Sequence, residues 1–200
     1  MTQSPLPEPE LTFPAEVADF VRAAYAEAKV VLEYGSGGST VLAARAAGTR
    51  CFSVESDARW ADNLRLFLDA ECPGHQAVVH HADIGPTTDW GRPAKVSIFS
   101  APAYARYPRS VWQRPDFVHP DLVLIDGRFR VGCFLAVLAR IERPTTILFD
   151  DYAERSHYHV VEQFGPPAHT VGRMAVFEAE PGRIGLVDKL RLLRAGLSPR

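Results

Sequence analysis

The sequence predicts an α/β domain built on a doubly wound, mostly parallel sheet with helices on both faces and an antiparallel final strand. Three observations carry this. Short apolar runs at 30–34, 50–57, 76–83, 121–126 and 145–151 alternate with stretches of helical periodicity, the pattern of a parallel sheet covered by its crossovers. The run "DLVLID" is apolar at successive positions, as a strand buried on both faces must be. Every run also ends in acids, Glu33, Glu55, Asp83, Asp126, Asp150 and Asp151, and the carboxyl ends of parallel strands are where such sheets bind ligands.

The elements follow in order. Residues 1–13, rich in Pro and acids, read as a flexible tail, and 14–200 as a single domain. "PAEVADFVRAAYAEAK" aligns Val17, Phe20, Val21, Ala24 and Tyr25 behind Pro14 and predicts a helix over 14–28. "VVLEY" is the first strand, and "STVLAARAAG" a helix opening on a Ser-Thr cap and closing at Gly48. "RCFSVESD" is the second strand. "ARWADNLRLFLDAEC" places Trp60, Leu64, Phe67 and Leu68 on one helix face and stops at Pro73-Gly74. "QAVVHHAD" is the third strand. From 85 to 120 six prolines and Gly91 forbid a long helix, and a segment of that length without regular structure is commonly functional; residues 86–120 are a candidate substrate lid. "DLVLID", the helix "VGCFLAVLARI", the strand "TTILFDD" and the helix "SHYHVVEQF" come next. "AHTVGR" and "MAVFEAE" predict a closing antiparallel pair, and "LVDKLRLLRAGL" a terminal amphipathic helix.

Composition narrows the function classes. Two hundred residues at 46% hydrophobic support one α/β domain with a substantial core. A formal charge of -2 argues against a general nucleic-acid binder. Cys51, Cys72 and Cys133 are odd in number and far apart, so neither a disulfide frame nor a zinc site is expected and a cytoplasmic setting is. No run has the length of a membrane helix, and the start lacks the pattern of a signal peptide.

The stretch "VLEYGSGGST" joins a strand to a glycine turn and a helix, the arrangement that lets backbone N–H groups approach a nucleotide-like ligand. Glu55 lies eighteen residues beyond Gly37, where a carboxylate accepts from the hydroxyls of an adenosine ribose. Both NAD and S-adenosylmethionine carry that ribose. Beside a pyrophosphate, Glu33 would meet a like charge, at a cost of about 1 kcal/mol at 4 Å in water and about 4 at an effective dielectric of 20; beside an ammonium and a sulfonium the sign reverses. The third glycine of the dinucleotide fingerprint falls on Thr40. Both points favour S-adenosylmethionine over NAD.

"LEYGSGGST", "SVESD", "HHAD" and "DLVLIDG", in this order, resemble the successive ligand-binding segments of class I S-adenosylmethionine-dependent methyltransferases over about residues 14–178. The chain is similar to bacterial members without an assigned substrate. The resemblance implies a Rossmann-like sheet and a cofactor site. In it Glu33 and Gly35 lie near the methionine portion, Gly37 lines the loop, Glu55 holds the ribose, Asp83 and Ile84 meet the adenine, and Asp126 stands beside the amine and the reacting methyl. Ser36, Ser39, Thr40 and Ser56 complete the expected cofactor set. Each has a plainer reading: the glycines as a turn, Glu55 and its neighbours Ser56 and Asp57 as a helix cap, Asp83 and Asp126 as turn formers before glycine.

Methyl transfer needs alignment and, for a hydroxyl acceptor, a base. Asp126, Asp151 and His157 are the candidate catalytic residues, with His159 as a second imidazole; capping or solvent-facing roles are the alternatives. Asp126, Asp150 and Asp151 are candidate metal ligands by similarity to metal-dependent catechol-type O-methyltransferases. Here an Asp replaces the usual Asn and Phe129 stands where that pattern has lysine, so a divalent metal is admitted but not expected. Arg128 and Arg130 are able either to clamp an anionic acceptor or to pair with the acids. Trp90, Tyr104, Tyr107 and Trp112, interleaved with Arg92, Arg106, Arg109 and Arg114, fit a lid over a planar or sugar-like acceptor, a surface segment pinned by buried rings, or, less well, RNA. The expected partner is a small-molecule acceptor, with no DNA and no membrane; oligomeric state stays open, a homodimer included. A non-catalytic adenosyl-ligand-binding domain is the alternative to an enzyme.

Overall fold

The computed structural model describes residues 7–95 and 100–182. The terminal helix expected over 186–197, the first six residues of the tail and residues 96–99 of the expected lid lie outside the described residues. The elements run α1 (Ala15–Glu27), β1 (Val30–Tyr34), α2 (Gly38–Arg45), β2 (Arg50–Glu55), α3 (Ala58–Glu71), β3 (Gln76–His81), β4 (Thr87–Thr88), β5 (Arg92–Pro93), α4 (Ala101–Tyr104), α5 (Arg106–Arg109), β6 (Leu122–Ile125), α6 (Arg130–Leu138), β7 (Thr145–Phe149), β8 (His169–Val171) and β9 (Met174–Ala179). Seven strands form one sheet in the order β3-β2-β1-β6-β7-β9-β8, and β4 pairs with β5 in a separate hairpin. Pairings from β3 through β7 are parallel, and β9 is antiparallel to both β7 and β8. The doubly wound sheet and its antiparallel close are those the sequence predicts.

Alternation along each strand divides the core between the two faces. Val31, Leu122, Leu124, Leu148 and Val176 pack with Val17, Val21 and Tyr25 of α1 and Leu64, Phe67 and Leu68 of α3. Leu32, Tyr34, Val123, Ile125, Ile147 and Phe149 pack with Phe134, Leu135 and Leu138 of α6. Winding leaves β1 toward β2 and β3 on one side and toward β6 and β7 on the other, so direction reverses between β1 and β6, where such sheets bind their ligands.

Local departures from the expected elements have local causes. Helix α2 begins at Gly38 with Gly37 as N-cap, so Ser39 and Thr40 stand inside the first turn, and Thr40 Oγ1 accepts from the Gly37 N–H at 3.0 Å. Helix α3 is capped by Asp57, which accepts from the Trp60 N–H at 2.9 Å. Residues 156–164 form a 3-10 helix and not the expected α-helix. The segment 100–114 is pinned by Tyr104, Tyr107 and Val111, each about fully buried, with Tyr107 and Tyr104 both packed against Phe129. Residues near the start are likewise anchored: Phe13 is buried, Glu8 pairs with Arg45 at 2.6 Å, and the backbone of Glu10 and Leu11 fills the space where Gly38 lacks a side chain, a Cβ there meeting Glu10 at 2.5 Å. The tail expected over 1–13 is therefore laid down on α2 at least over 8–13.

Candidate functional site

At the reversal point a cavity of about 890 Å³ opens, within the range of sites that bury a small ligand. Its floor is the glycine turn Gly35–Gly38. Gly35, at φ +105°, sits so close to the start of the β6 loop that a Cβ would meet Gly127 N at 2.7 Å, and only glycine takes both the backbone angle and the approach without strain. Gly127 in turn is covered by the Tyr107 hydroxyl.

A chain of hydroxyls fixes the turn from beneath. Ser36 Oγ meets Ser53 Oγ at 2.7 Å, Ser53 Oγ meets Thr40 Oγ1 at 3.1 Å, and Thr40 donates to Glu33 Oε2 at 2.6 Å. The other oxygen of Glu33 accepts from the Tyr25 hydroxyl at 2.6 Å. Glu33 is fully buried and lies behind the cavity wall, not in it. Burial pushes its pKa up against the hydrogen bonds from Thr40 and Tyr25. The residue expected beside the methionine portion is thus placed one layer deeper, holding the Thr40 that holds Gly37. Gly35, Ser36, Gly37 and Ser39 line the cavity; Thr40 does not.

Glu55, at the end of β2, faces the cavity with one oxygen fixed by the backbone N–H groups of Ser56 at 2.6 Å and Asp57 at 2.8 Å. Burial raises its pKa while these donors oppose the rise. The β4–β5 hairpin docks on this corner: Ser56 Oγ donates to the Gly91 carbonyl at 2.9 Å, and Thr87 Oγ1 to Asp57 at 2.8 Å. The hairpin thereby carries Trp90, 76% exposed and at φ +63°, to the rim. Trp60 also belongs to the rim and not to the buried face of α3; it is 41% exposed, and its indole N–H donates to the Ser36 carbonyl at 2.8 Å. Periodicity places Trp60 on the apolar stripe, but in the first turn Ala61 takes the buried position while the indole is held out at Ser36. Asp83 and Ile84 are outside the wall: Asp83 accepts from Gly85 N at 2.9 Å and pairs with Arg106 at 3.6 Å, and Ile84 is buried in the core.

Asp126 reaches the far end of the cavity. Burial, with further contributions from Asp150 and Asp151, pushes its pKa up to about 7 even though Arg130 opposes the shift. The carboxylates of Asp126, Asp150 and Asp151 have oxygens within 4.8 Å of one another, the spacing a metal would need. Each is met by arginine instead. Arg130 contacts Asp126 and Asp151, both at 3.0 Å; Arg155 contacts Asp151 at 2.9 Å; Arg173 clasps Asp150 at 2.7 and 3.0 Å. A divalent ion would have to displace guanidinium groups from a cluster already neutral, so the donor set does not fit one. His157 is exposed against the Tyr158 ring, and His159 stacks on Tyr152 and contacts its carbonyl at 3.2 Å. Neither lines the cavity, so the imidazole base expected there is not in reach. Nothing in the sequence marks Arg173 as the partner of Asp150; it arrives from the β8–β9 turn, 23 residues away.

Over 96% of its length the chain matches 99% of a methyltransferase-like protein from Silicibacter pomeroyi, with 48% sequence identity and a TM-score of 0.88. A methyltransferase from Geobacter sulfurreducens shares the fold at 11% identity and TM-score 0.53, covering 84% of this chain and 80% of that one. A putative methyltransferase from Escherichia coli does so at 14% and 0.50, covering 88% and 91%. No protein-family model and no curated protein matches the chain.

Proposed function

Because the chain belongs to the family of the Silicibacter pomeroyi methyltransferase-like protein, we propose that it is an S-adenosylmethionine-dependent methyltransferase acting on a small-molecule acceptor. The observation that carries this reading is the pairing of Glu55 with the Gly35–Gly38 turn across one cavity that ends at Asp126. The residues present fit the cofactor. Glu55 is held by two backbone donors with its carboxyl toward the cavity, suited to accept from ribose hydroxyls. The turn offers backbone close approach, and Asp126 at the far end offers a carboxylate oxygen to an ammonium. When bound, the cofactor supplies an electrophilic methyl group.

What this chain's own groups do is align and, at one atom, move a proton. The hydroxyl chain from Ser36 to Tyr25 keeps the turn in place. Trp60 and Trp90 shield the rim from water. Asp126, at about 7, stands near the pH at which a carboxylate both accepts a proton and releases it again, so it is the candidate base for a hydroxyl acceptor. Asp151, locked between three arginines, orients Arg130 and so acts through it. A non-catalytic adenosyl-ligand-binding role is the second reading, favoured by the absence of an imidazole from the cavity wall. Three free, buried cysteines suit a reducing cytoplasm, where we place the protein; among the described residues no helix is long and apolar enough to cross a membrane.

Calorimetric titration with S-adenosylmethionine, S-adenosylhomocysteine and NAD tests the reading. Adenosyl binding without NAD binding is expected, with Glu55→Ala weakening it by about tenfold to 150-fold, the equivalent of about 1.5–3 kcal/mol. Absence of adenosyl binding refutes it.

A further inference from the structure

We propose that the acceptor carries a carboxylate or phosphate group, and that Arg128 is the residue that holds it; this rests on the methyl-transfer reading of the same cavity. Of the arginines that follow strand ends near Asp126, all but one are already engaged. Arg130, Arg155 and Arg173 take the three aspartates. In the neighbouring segment Arg106 pairs with Asp83 and Arg114 with Asp116.

Arg128 differs from all of these. It lines the cavity beside Asp126 and Gly127. Among the described residues its guanidinium makes no ion pair and no hydrogen bond; its partners are all on the backbone, where the N–H donates to the Tyr107 hydroxyl at 3.4 Å and the carbonyl accepts from the Cys133 thiol at 3.4 Å. Its Nε is buried with no acceptor. Burial first, and then its cationic neighbours Arg130 and Arg92, hold its pKa below the usual guanidinium range, against Tyr107 and Tyr158. A half-buried cation with an unpaired donor and cationic neighbours is an unfavourable arrangement for the unliganded protein to keep. An anion in the cavity would neutralise that charge, because the guanidinium fork matches carboxylate and phosphate oxygens in a bidentate pair.

Placement favours the acceptor as the source of that anion. Glu55 ends β2, on one side of β1, and is the adenosine end of the cofactor site; the methyl end reaches toward Asp126, at the end of β6 on the other side. Arg128 lies two residues past Asp126 and within the field of Tyr158, beyond β7. A group that meets its fork there belongs to the molecule on the far side of the methyl.

The test titrates benzoate and inorganic phosphate, at constant ionic strength, into protein saturated with S-adenosylhomocysteine, using wild type, Arg128→Gln and Arg128→Lys. Wild type is expected to bind one anion, Arg128→Gln to weaken it by about tenfold or more, and Arg128→Lys to fall between, keeping charge but losing the fork. Both variants should bind S-adenosylhomocysteine within about twofold of wild type and melt no lower, because the guanidinium leaves no partner stranded. Equal anion binding by Arg128→Gln overturns the proposal. So does a loss of S-adenosylhomocysteine affinity in Arg128→Gln that 5′-methylthioadenosine, which lacks the amino-acid portion, does not share: Arg128 would then hold the cofactor's own carboxylate. If wild type binds no S-adenosylhomocysteine, the cofactor reading fails separately, and the same anion titration of the unloaded chain still decides the role of Arg128.

Discussion

Replacing Glu33 with alanine is the sharpest perturbation the site offers, since the residue touches no ligand space and yet holds the turn that does. Its removal strands the buried Tyr25 hydroxyl and leaves the Thr40 hydroxyl only the longer contact to Ser53, in place of two bonds at 2.6 Å. An unsatisfied buried donor costs about 1–3 kcal/mol, and the vacated volume adds to that. A combined loss of about 3–5 kcal/mol follows, which for a chain of this size lowers the thermal midpoint by about 6–20 °C. Thr40 also loses its fixed orientation and with it the Gly37 N–H at 3.0 Å, so S-adenosylhomocysteine affinity should drop by about tenfold on top of the stability loss. Glu33→Gln keeps the volume and lets the Thr40 hydroxyl turn toward Ser53, at 3.1 Å; it should retain most of the stability. The pH dependence separates the two contributions. Burial raises the Glu33 pKa above 4.5, so the folded state holds its proton more tightly than the unfolded chain. That stabilisation is complete below 4.5 and is lost as pH rises through the folded value. Wild type should show this decline, and both variants should lack it. The assay is denaturant unfolding across pH 4 to 8, paired with calorimetry. An alanine variant that unfolds at the wild-type midpoint would refute the hydroxyl chain as the support of the turn.

Three further outcomes are expected. Arg130→Met leaves Asp126 and Asp151 without their shared guanidinium, and breaking a buried pair in this way should cost about 3–5 kcal/mol in denaturant unfolding. Gly91→Ala drives a methyl into the Ser56 hydroxyl and within 3.0 Å of Glu55 at a backbone φ of +66°; the hairpin must lift, so S-adenosylhomocysteine affinity and the quenching of Trp90 fluorescence by the ligand should fall together, while the unfolding midpoint changes little. His80 is held down to about 4 by burial and then by Arg114. The unfolded chain therefore takes up that proton first, and stability declines as pH falls from 6.5 through 4, by about 3 kcal/mol before solvent screening of the half-exposed ring and about 1–2 after it; subtracting the profile of His80→Gln isolates it.

The strands and their acidic ends were legible because burial on two faces and chain reversal leave marks within a few residues. "DLVLID" could only be a central strand, and its Asp126 had to emerge at the ligand end. The partners of those acids were not legible, since each is chosen across the sheet. Asp150 meets Arg173, which comes from the β8–β9 turn, and no local rule distinguishes that arginine from its neighbours. For the same reason three clustered carboxylates suggested a metal in the sequence, and the fold answers them with guanidinium groups. Glu33 is a subtler case. Its sign suggested contact with a cationic ligand, but β-strand alternation turns it toward α1, where Tyr25, eight residues earlier, receives it. Trp60 is the opposite case: the helical stripe places it with the core residues, and its indole is drawn out to the Ser36 carbonyl, a partner 24 residues away that no local rule marks.

The close passage of Glu10 and Leu11 over Gly38 has a kinetic side. Those residues line the cavity together with the turn beneath them, so the mouth is bounded by a stretch of backbone that pairs with no strand among the described residues. Its ties are the Phe13 ring, the half-buried Leu11 side chain and the exposed pair of Glu8 with Arg45, and an exposed pair of that kind contributes at most about 1 kcal/mol. Lifting this stretch is therefore cheap beside unfolding any strand of the sheet, and residence time of a ligand under it is governed by residues 8–13 and not by the sheet.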